Sequence, residues 1–337
     1  MRAVGLYQYL PIDHPEALLD VELPVPEPGP RDLRVAVRSI SVNPVDVKVR
    51  APKAQVEAQP RVLGWDAAGV VDAVGRDVRL FKPGDAVFYA GSIARPGSNA
   101  ELQLVDERIV GRKPNKLSFA EAAALPLTAL TAWELLFDRL RVPRGTDTSD
   151  AVLIIGAAGG VGSIATQLAR RLTKLTVIGT ASRRESTEWV RSMGAHHVVD
   201  HSRPLAEQVR ALVGRGARYV LSLTATDRHW NDIAELIAPE GALGLIDDPR
   251  EPLDLRALKQ KSASVHWEFM FTRAIFETDE PLAQHRILNE VSELVETGVL
   301  RTTLTEELAP INAVNLKRAH AQLETGRTIG KLVLSGF

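Results

Sequence analysis

The sequence contains no cysteine. This excludes disulfide bridges, cysteine-ligated zinc, iron–sulfur clusters and a thiol nucleophile. A chain without disulfides is typical of the reducing cytosol, and we expect a cytoplasmic protein. The first residues, MRAVGLYQYLP, lack the apolar core of a secretory signal peptide. The sequence also lacks an uninterrupted apolar stretch long enough to span a bilayer, so no membrane partner is expected.

An excess of charge of either sign is also absent. The chain has 41 Lys and Arg against 42 Asp and Glu, a formal net charge of −1. Electrostatics therefore gives no reason to expect nucleic acid or an anionic membrane as the main partner. A length of 337 residues predicts about two domains, and 45% hydrophobic with 25% charged residues is ordinary for a globular protein.

Against these absences stands a glycine-rich stretch, AVLIIGAAGGVG, at 151–162. The apolar run before it predicts a strand, and the residues after it, 163–172, predict a helix. Glycines in such a turn let the backbone approach a phosphate, and the first N–H groups of the helix then face a pyrophosphate. The strand–turn–helix context predicts a dinucleotide site, with a tight connection that binds nothing as the alternative. The glycines concerned are Gly156, Gly159, Gly160 and Gly162.

Two different patterns divide the chain. Residues 1–110 read as short strands separated by Pro and Gly, which is typical of a small barrel or sandwich. From residue 151 strands and helices alternate, which predicts a doubly wound parallel α/β sheet. A capping box, Ser118 with Glu121, predicts a helix start between the two patterns. The predicted parallel strands are 151–156, 175–180, 196–200, 218–223, 242–247 and, at an edge, 264–271.

The end of the second parallel strand favours NADP(H). An acidic residue roughly 20 positions after the glycine turn would bind a free ribose 2′-hydroxyl, but no acid occurs over 163–184. Ser182 and Arg183, with Arg184 beside them, can instead bind a 2′-phosphate. The alternative is that both arginines are solvated at a helix start.

Several blocks in order resemble the medium-chain dehydrogenase/reductase superfamily, and within it the quinone oxidoreductase branch. They are SVNPVDVKVR (41–50), VLGWDAAGVV (62–71), KPGDAVFYAG (82–91), AALPLTALTAWE (123–134), GAAGGVG (156–162), VHWEFMF (265–271) and GRTIGKLVL (326–334). The resemblance implies a GroES-like β-barrel catalytic domain over 1–127 and 273–337, and a Rossmann domain over 128–272. It also implies a cleft between them as the active site, and a homodimer that pairs through 264–271.

The chain departs from the zinc-binding members of this superfamily. Asn43 stands where they have a cysteine, and Gly64-Trp65-Asp66 replaces their Gly-His-Glu. Tryptophan cannot ligate zinc and asparagine is a poor ligand, so we expect no metal. His196, His197 and His201 cluster in the sequence but have no Cys or carboxylate framework around them.

Without a metal to polarise a carbonyl, an acceptor must already be electrophilic, as quinones and α,β-unsaturated carbonyls are. The sequence therefore predicts an NADPH-dependent quinone or enone reductase. A redox sensor or structural protein that binds NADPH with little catalysis is the alternative, because no compelling catalytic acid is apparent. A metal-dependent alcohol dehydrogenase is a third, weaker hypothesis.

The resemblance implies particular cofactor contacts. Apart from Asn43 and the glycines of the turn, it points to Thr128 beside the nicotinamide, Val161 at the pyrophosphate, His201 at the 2′-phosphate, Leu223 and Thr224 along the ribose, Asp247 on the nicotinamide side, and Gly330 and Lys331 in the closing tail.

Candidate residues around the acceptor each have a structural alternative. Asn43 is a predicted hydrogen-bond donor to substrate or cofactor, and Asp46 either lines the substrate site or makes a structural hydrogen bond. Tyr89 is the best remaining phenol for proton donation, or a buried barrel residue. The aromatic residues Trp65, Phe269 and Phe271 either form walls of the acceptor pocket or belong to the core or an interface.

Overall fold

The computed structural model describes residues 1–146 and 149–337, and it divides into two compact units. Unit 1 comprises Met1–Leu130 and Phe271–Phe337, and unit 2 comprises Thr131–Met270. These limits lie within a few residues of the predicted domain boundaries at 127/128 and 272/273. Unit 1 is thus built from both ends of the chain, whereas unit 2 is a continuous segment.

The N-terminal part of unit 1 is mostly β structure. Its strands are β1 (Arg2–Tyr9), β2 (Leu19–Glu22), β3 (Asp32–Ser41), β4 (Lys53–Val62), β5 (Ala67–Val74), β6 (Ala86–Tyr89), β7 (Leu102–Asp106) and β8 (Val110–Arg112), with a 3₁₀ turn at Glu107–Ile109. Helix α1 (Pro44–Arg50) follows β3, and α2 (Phe119–Ala123) begins at the predicted Ser118–Glu121 capping box. Helix α3 (Pro126–Trp133) crosses the boundary between the units.

Unit 2 alternates strands with helices. Its elements are β9 (Ala151–Ile155), α4 (Gly160–Leu172), β10 (Thr176–Thr180), α5 (Arg184–Ser192), β11 (His197–Val199), α6 (Leu205–Val213), β12 (Ala217–Ser222), α7 (Thr226–Leu236), β13 (Ile237–Leu245), a 3₁₀ helix at Leu255–Lys261 and β14 (Ser264–Trp267). The strand order is β11-β10-β9-β12-β13-β14, and every pair is parallel. This confirms the predicted doubly wound sheet, with the fully buried β9 near its centre.

The C-terminal part of the chain completes unit 1. It adds α8 (Thr272–Phe276), α9 (Ala283–Glu296), β15 (Leu304–Leu308), α10 (Ala313–Glu324) and β16 (Lys331–Ser335). Strand β16 pairs antiparallel with β3, so one sheet runs β15-β16-β3-β5-β6-β8, with β7 also paired to β3. A smaller sheet has the order β2-β1-β4.

Two predicted elements differ from the structure. The strand predicted over 264–271 is β14, which ends at Trp267. Phe271, the last residue of the prediction, has helical dihedral angles and immediately precedes α8. Its apolar alternation therefore continues past the strand that it predicted. The predicted strand 242–247 is β13, which begins earlier, at Ile237. Its Pro239 and Gly241 lie at an irregularity in the register with β12, between the pairs that Ile237 and Ala242 make.

The region after α3 forms a π-helix, Glu134–Arg139. By length and composition alone, the helical stretch Phe119–Arg139 is long and apolar enough to cross a membrane. Its most apolar window is 89% buried within the protein, as in the core helix of a globular fold.

Candidate functional site

The glycine turn of unit 2 separates structural from open positions. A Cβ on Gly162 would lie 2.3 Å from the Gly156 carbonyl oxygen, so this close approach of α4 to the turn requires glycine. A Cβ on Gly159 would meet nothing nearer than 3.6 Å. Gly159 caps α4, and Gly160 and Val161 are its first residues. The N–H groups of a first helical turn lack intrahelical partners, so they are available to an anion.

His201 links this turn to the end of β10. Its Nε2 lies 2.9 Å from the Ser182 hydroxyl, and its Nδ1 lies 3.3 Å from the Thr180 hydroxyl. The Gly156 N–H donates to the same Thr180 oxygen at 3.1 Å. Arg183 caps α5 next to Ser182. Three residues predicted to bind a 2′-phosphate are therefore brought together where β10 and β11 end.

The ends of β12 and β13 supply the other predicted cofactor residues of unit 2. The Leu223 N–H donates to the carbonyl of Ile155, and Thr224 lies 3.0 Å from where a Cβ of Gly156 would stand. Asp247 accepts hydrogen bonds from the N–H and hydroxyl of Thr226, at the start of α7. Asp247 thus fixes the start of α7, in addition to any contact with a cofactor.

Unit 1 contains a buried polar cluster that we call the Lys331 cluster: Asn43, Asp46, Asp66 and Lys331. The Lys331 ammonium lies 3.1 Å from Asp66 Oδ2 and donates to the Val42 carbonyl at 3.0 Å and to Asn43 Oδ1. The Asn43 amide donates to Asp66 Oδ2 at 3.1 Å and to the Ser41 carbonyl at 3.3 Å. With these contacts both N–H groups of the Asn43 side-chain amide are hydrogen-bonded within the protein.

Asp46 and Asp66 differ in their partners. Asp46 accepts from the Asn43 N–H at 2.6 Å, whereas its Oδ1 is buried with no hydrogen-bond partner among the described residues. Burial, reinforced by Asp66 and opposed by the Asn43 N–H and by Lys331, raises the pKa of Asp46 to about 7. Burial also raises the pKa of Asp66 and lowers the pKa of Lys331, while their mutual attraction opposes both shifts.

These residues do not fit a zinc ion. At the positions where zinc-binding relatives have ligands, the structure has an amide, an indole and a carboxylate that already binds an ammonium. Within 1–146 and 149–337, no group of three or more His, Asp or Glu side chains could hold a metal. Zinc would have to displace Lys331 from Asp66, and the amide and the indole at the other two positions would offer it no good ligand.

Two of the predicted aromatic residues, Trp65 and Phe271, contact each other in unit 1. Trp65 is 1% exposed, and its ring meets the ring of Phe271 edge-on with centroids 6.2 Å apart. The Trp65 indole donates to the Ser92 carbonyl at 3.1 Å, and Ser92 lines a cavity of about 170 Å³ together with Gln103 and with residues of α8. Trp65 and Phe271 are thus core residues, and neither of them lines this cavity. Their role as walls of the acceptor pocket stays a prediction.

The remaining candidates are placed less favourably for chemistry. Tyr89 in β6 is buried, and its hydroxyl has no hydrogen-bond partner in the described part of the chain. Burial raises its pKa, which makes the phenol a weaker acid. Thr128 is buried and donates to the Leu125 carbonyl at 3.1 Å. In unit 2, Phe269 is 49% exposed beyond β14; in unit 1, Gly330 has a positive φ just before β16.

Sequence reasoning missed the partnership between Asp66 and Lys331. Lys331 was predicted as a cofactor contact, and Asp66 only as a replaced metal ligand. One signal in the sequence could have indicated this pairing. Asp66, which replaces the metal-binding glutamate, is itself acidic, and a buried negative charge at that position needs a cation.

A glycine-turn parallel sheet in one unit, with a β-rich second unit made from both chain ends, defines a class of nicotinamide-dependent oxidoreductases. The chain belongs to the medium-chain dehydrogenase/reductase superfamily, in its quinone oxidoreductase branch. Residues 29–130 match the family described as alcohol dehydrogenase GroES-like domain, and residues 193–334 match the family described as zinc-binding dehydrogenase.

Full-length relatives agree with this assignment. A zinc-type alcohol dehydrogenase-like protein of Staphylococcus aureus is 43% identical, over 99% of this chain and 100% of the relative. The crystal structure of a proposed zinc-dependent alcohol dehydrogenase from Rhizobium etli has a TM-score of 0.96 and 57% identity, over 100% and 98% of the two chains. The Escherichia coli quinone oxidoreductase complexed with NADPH has a TM-score of 0.84 and 26% identity, over 99% and 100%.

Proposed function

We propose that this oxidoreductase reduces quinones or α,β-unsaturated carbonyls with NADPH, and that it does so without zinc. The Lys331 cluster carries this proposal. Asp66 stands at a position where zinc-binding relatives have a metal ligand, and its carboxylate is already paired with the Lys331 ammonium. Relatives named quinone oxidoreductase, among them a Pseudomonas aeruginosa protein with 32% identity over 97% of this chain, support the acceptor class.

We further propose a cytoplasmic homodimer that pairs through β14, an edge strand whose Trp267 is 55% exposed.

Bound NADPH would supply the hydride, so the residues of the protein need only bind, orient and exclude water. The N–H groups of Gly159, Gly160 and Val161 would hold the pyrophosphate, and Ser182, Arg183 and His201 the 2′-phosphate. Asn43 would act by positioning, since its amide is committed to Ser41, Asp66 and Lys331. The reduced acceptor would take its proton from solvent or from a side chain.

The direct test is NADPH oxidation with 1,4-benzoquinone and with a simple enone, each with and without a metal chelator. We expect acceptor-dependent oxidation that the chelator leaves unchanged. The control is Gly159→Ala, whose Cβ has room in the fold but would hold a phosphate away from the backbone; it should fold normally and lose activity.

The other outcomes of this assay are equally informative. Loss of activity with the chelator, restored by zinc, would favour a metal-dependent alcohol dehydrogenase. Saturable NADPH binding with no oxidation of NADPH by any acceptor would favour the redox sensor or structural protein.

Cofactor preference gives a separate prediction. Arg183→Ala should weaken NADPH binding by about 10- to 100-fold, the loss of one charge-assisted hydrogen bond, and NADH binding little. Arg184→Ala is the matched control, because Arg184 is exposed and pairs with Glu188 at 2.9 Å. Dissociation constants from cofactor fluorescence would decide, and an equal loss for NADPH and NADH would contradict the assignment of Arg183 to the 2′-phosphate.

A further inference from the structure

The proposed 2′-phosphate site contains two histidines. Beyond His201 lies His229 of α7, only 7% exposed, with its ring 6.3 Å from the His201 ring at an interplanar angle of 62°. Arg228, exposed on the same helix, precedes His229. Arg183 and Arg228 thus add two cations to two histidines that can be protonated, and Ser182 adds a neutral hydroxyl. All five residues lie where three parallel strands end.

The surroundings of His201 accept either protonation state of its ring. Both ring nitrogens face hydroxyl groups, Ser182 at Nε2 and Thr180 at Nδ1. A hydroxyl can donate or accept, so the neutral ring and the doubly protonated ring can each satisfy both contacts. Protonation of His201 would therefore break no hydrogen bond of the folded protein.

The charges around the two rings decide which ring takes the proton. Burial is the main cause that lowers the pKa of His201; Asp200 opposes this shift, and Arg228 and Arg183 add to it. His229 faces Arg228 and His201, with Asp227 and Asp232 as weaker opposing charges. A dianionic phosphate against Ser182 and Arg183 would offset the repulsion at His201 first, because His201 hydrogen-bonds Ser182 directly.

We propose that His201 takes up a proton when the 2′-phosphate of NADPH binds, so that the preference for NADPH over NADH depends on pH. The proposal rests on the proposed NADPH site and adds a regulation to it. NADH carries no 2′-phosphate, so its binding would leave His201 neutral. The proton comes from solvent, and no bond in the cofactor is made or broken.

Proton uptake can be measured by titration calorimetry of NADPH and of NADH near pH 7 in buffers of different ionisation enthalpy. We expect wild-type protein to take up a fraction of a proton with NADPH and almost none with NADH. In the window of uptake, the affinity for NADPH should fall by up to tenfold per pH unit as the pH rises, while that for NADH stays level. His201→Asn should abolish the difference between the cofactors, and His197→Asn, at an exposed histidine of β11, should preserve it.

The outcomes separate this proposal from the proposed function. The phosphate itself titrates near pH 6 and can release protons on binding, so the proton counts of wild type and His201→Asn are compared, and the uptake that is lost in the variant is the uptake that depends on His201. NADPH binding with the same proton count in wild type and His201→Asn would overturn the proton uptake alone. Absence of NADPH binding would overturn the NADPH site as well. If His201→Asn fails to fold, the NMR titration of the His201 ring in wild-type protein decides, since an unchanged pKa with bound NADPH contradicts the proposal.

Discussion

Replacing Lys331 with methionine is expected to destabilise the protein by about 3–5 kcal/mol, the usual effect of removing one partner of a buried ion pair. Asp66 is 0% exposed, and its carboxylate pairs with the Lys331 ammonium at 3.1 Å. Without the ammonium, the Asp66 carboxylate stays buried with no counter-charge. The side-chain oxygen of Asn43 and the backbone carbonyl of Val42 also lose a hydrogen-bond donor.

A double variant separates the ion pair from the general fit of the side chains. Lys331→Met combined with Asp66→Asn removes both charges and is expected to recover most of the lost stability, because a neutral pair requires no counter-charge. Lys82→Met, at an exposed lysine of unit 1, is the control and should change stability by less than about 0.5 kcal/mol. Urea unfolding of the four proteins measures this; equal destabilisation in the single and the double variant would contradict the ion-pair explanation.

The second large effect concerns a pair of buried carboxyl groups in unit 2. Glu134 begins the π-helix and Glu268 follows β14; both side chains are 0% exposed, and Arg139 Nε lies 2.8 Å from Glu268 Oε2. Burial, together with the charge of Glu134 and against the attraction of Arg139, raises the pKa of Glu268 to about 8. One arginine thus serves two carboxyl groups, so we expect the pair to hold one proton at neutral pH, which the raised pKa assigns to Glu268.

The sign of the pH effect follows from proton counting. Between about pH 4.5 and pH 8 Glu268 holds a proton in the folded protein but not in the unfolded chain. The folded state binds more protons there, so the free energy of unfolding falls as the pH rises through this window and levels off above it. At about 1.4 kcal/mol per pKa unit, the upper limit of the loss is about 5 kcal/mol.

Glu268→Gln replaces the protonated carboxyl with a neutral group of the same shape. We expect the variant to match wild type near pH 5 and to exceed its stability by several kcal/mol near pH 8.5. Glu251→Gln, at an exposed loop position, is the matched control and should follow wild type at both values. Thermal and urea unfolding at the two pH values measure this, and a variant that parallels wild type across the range would exclude a protonated Glu268.

Local patterns in the sequence predicted much of the architecture. The apolar run 151–155 and the glycines after it predicted β9 and the start of α4, because each depends on neighbouring residues. Ser118 with Glu121 predicted the start of α2 for the same reason. Ser182 and Arg183 were predicted from the end of the second parallel strand, whereas His201 followed only from the family resemblance; the three residues meet because the carboxyl ends of adjacent parallel strands lie side by side.

Contacts between distant segments could not be predicted in this way. The Lys331 cluster joins residues from β16, from the start of α1 and from the residues before β5, and no local signal pairs them. The π-helix at Glu134–Arg139 and the proximity of Glu268 to Glu134 likewise depend on tertiary packing, which helical periodicity does not encode. The end of β14 at Trp267 could not be predicted, because an alternation of apolar residues does not mark where the backbone leaves the sheet.

The union of both chain ends in unit 1 has a consequence for synthesis on the ribosome. Ser39 of β3 and Ser335 of β16 hydrogen-bond at 2.9 Å although 296 positions separate them. Unit 2 is complete in one continuous stretch, so it can fold while the last strand is still being translated. The end of β3, Ser39–Ser41, has no strand on its β16 side until β16 emerges, and this interval exposes it to pairing with other chains.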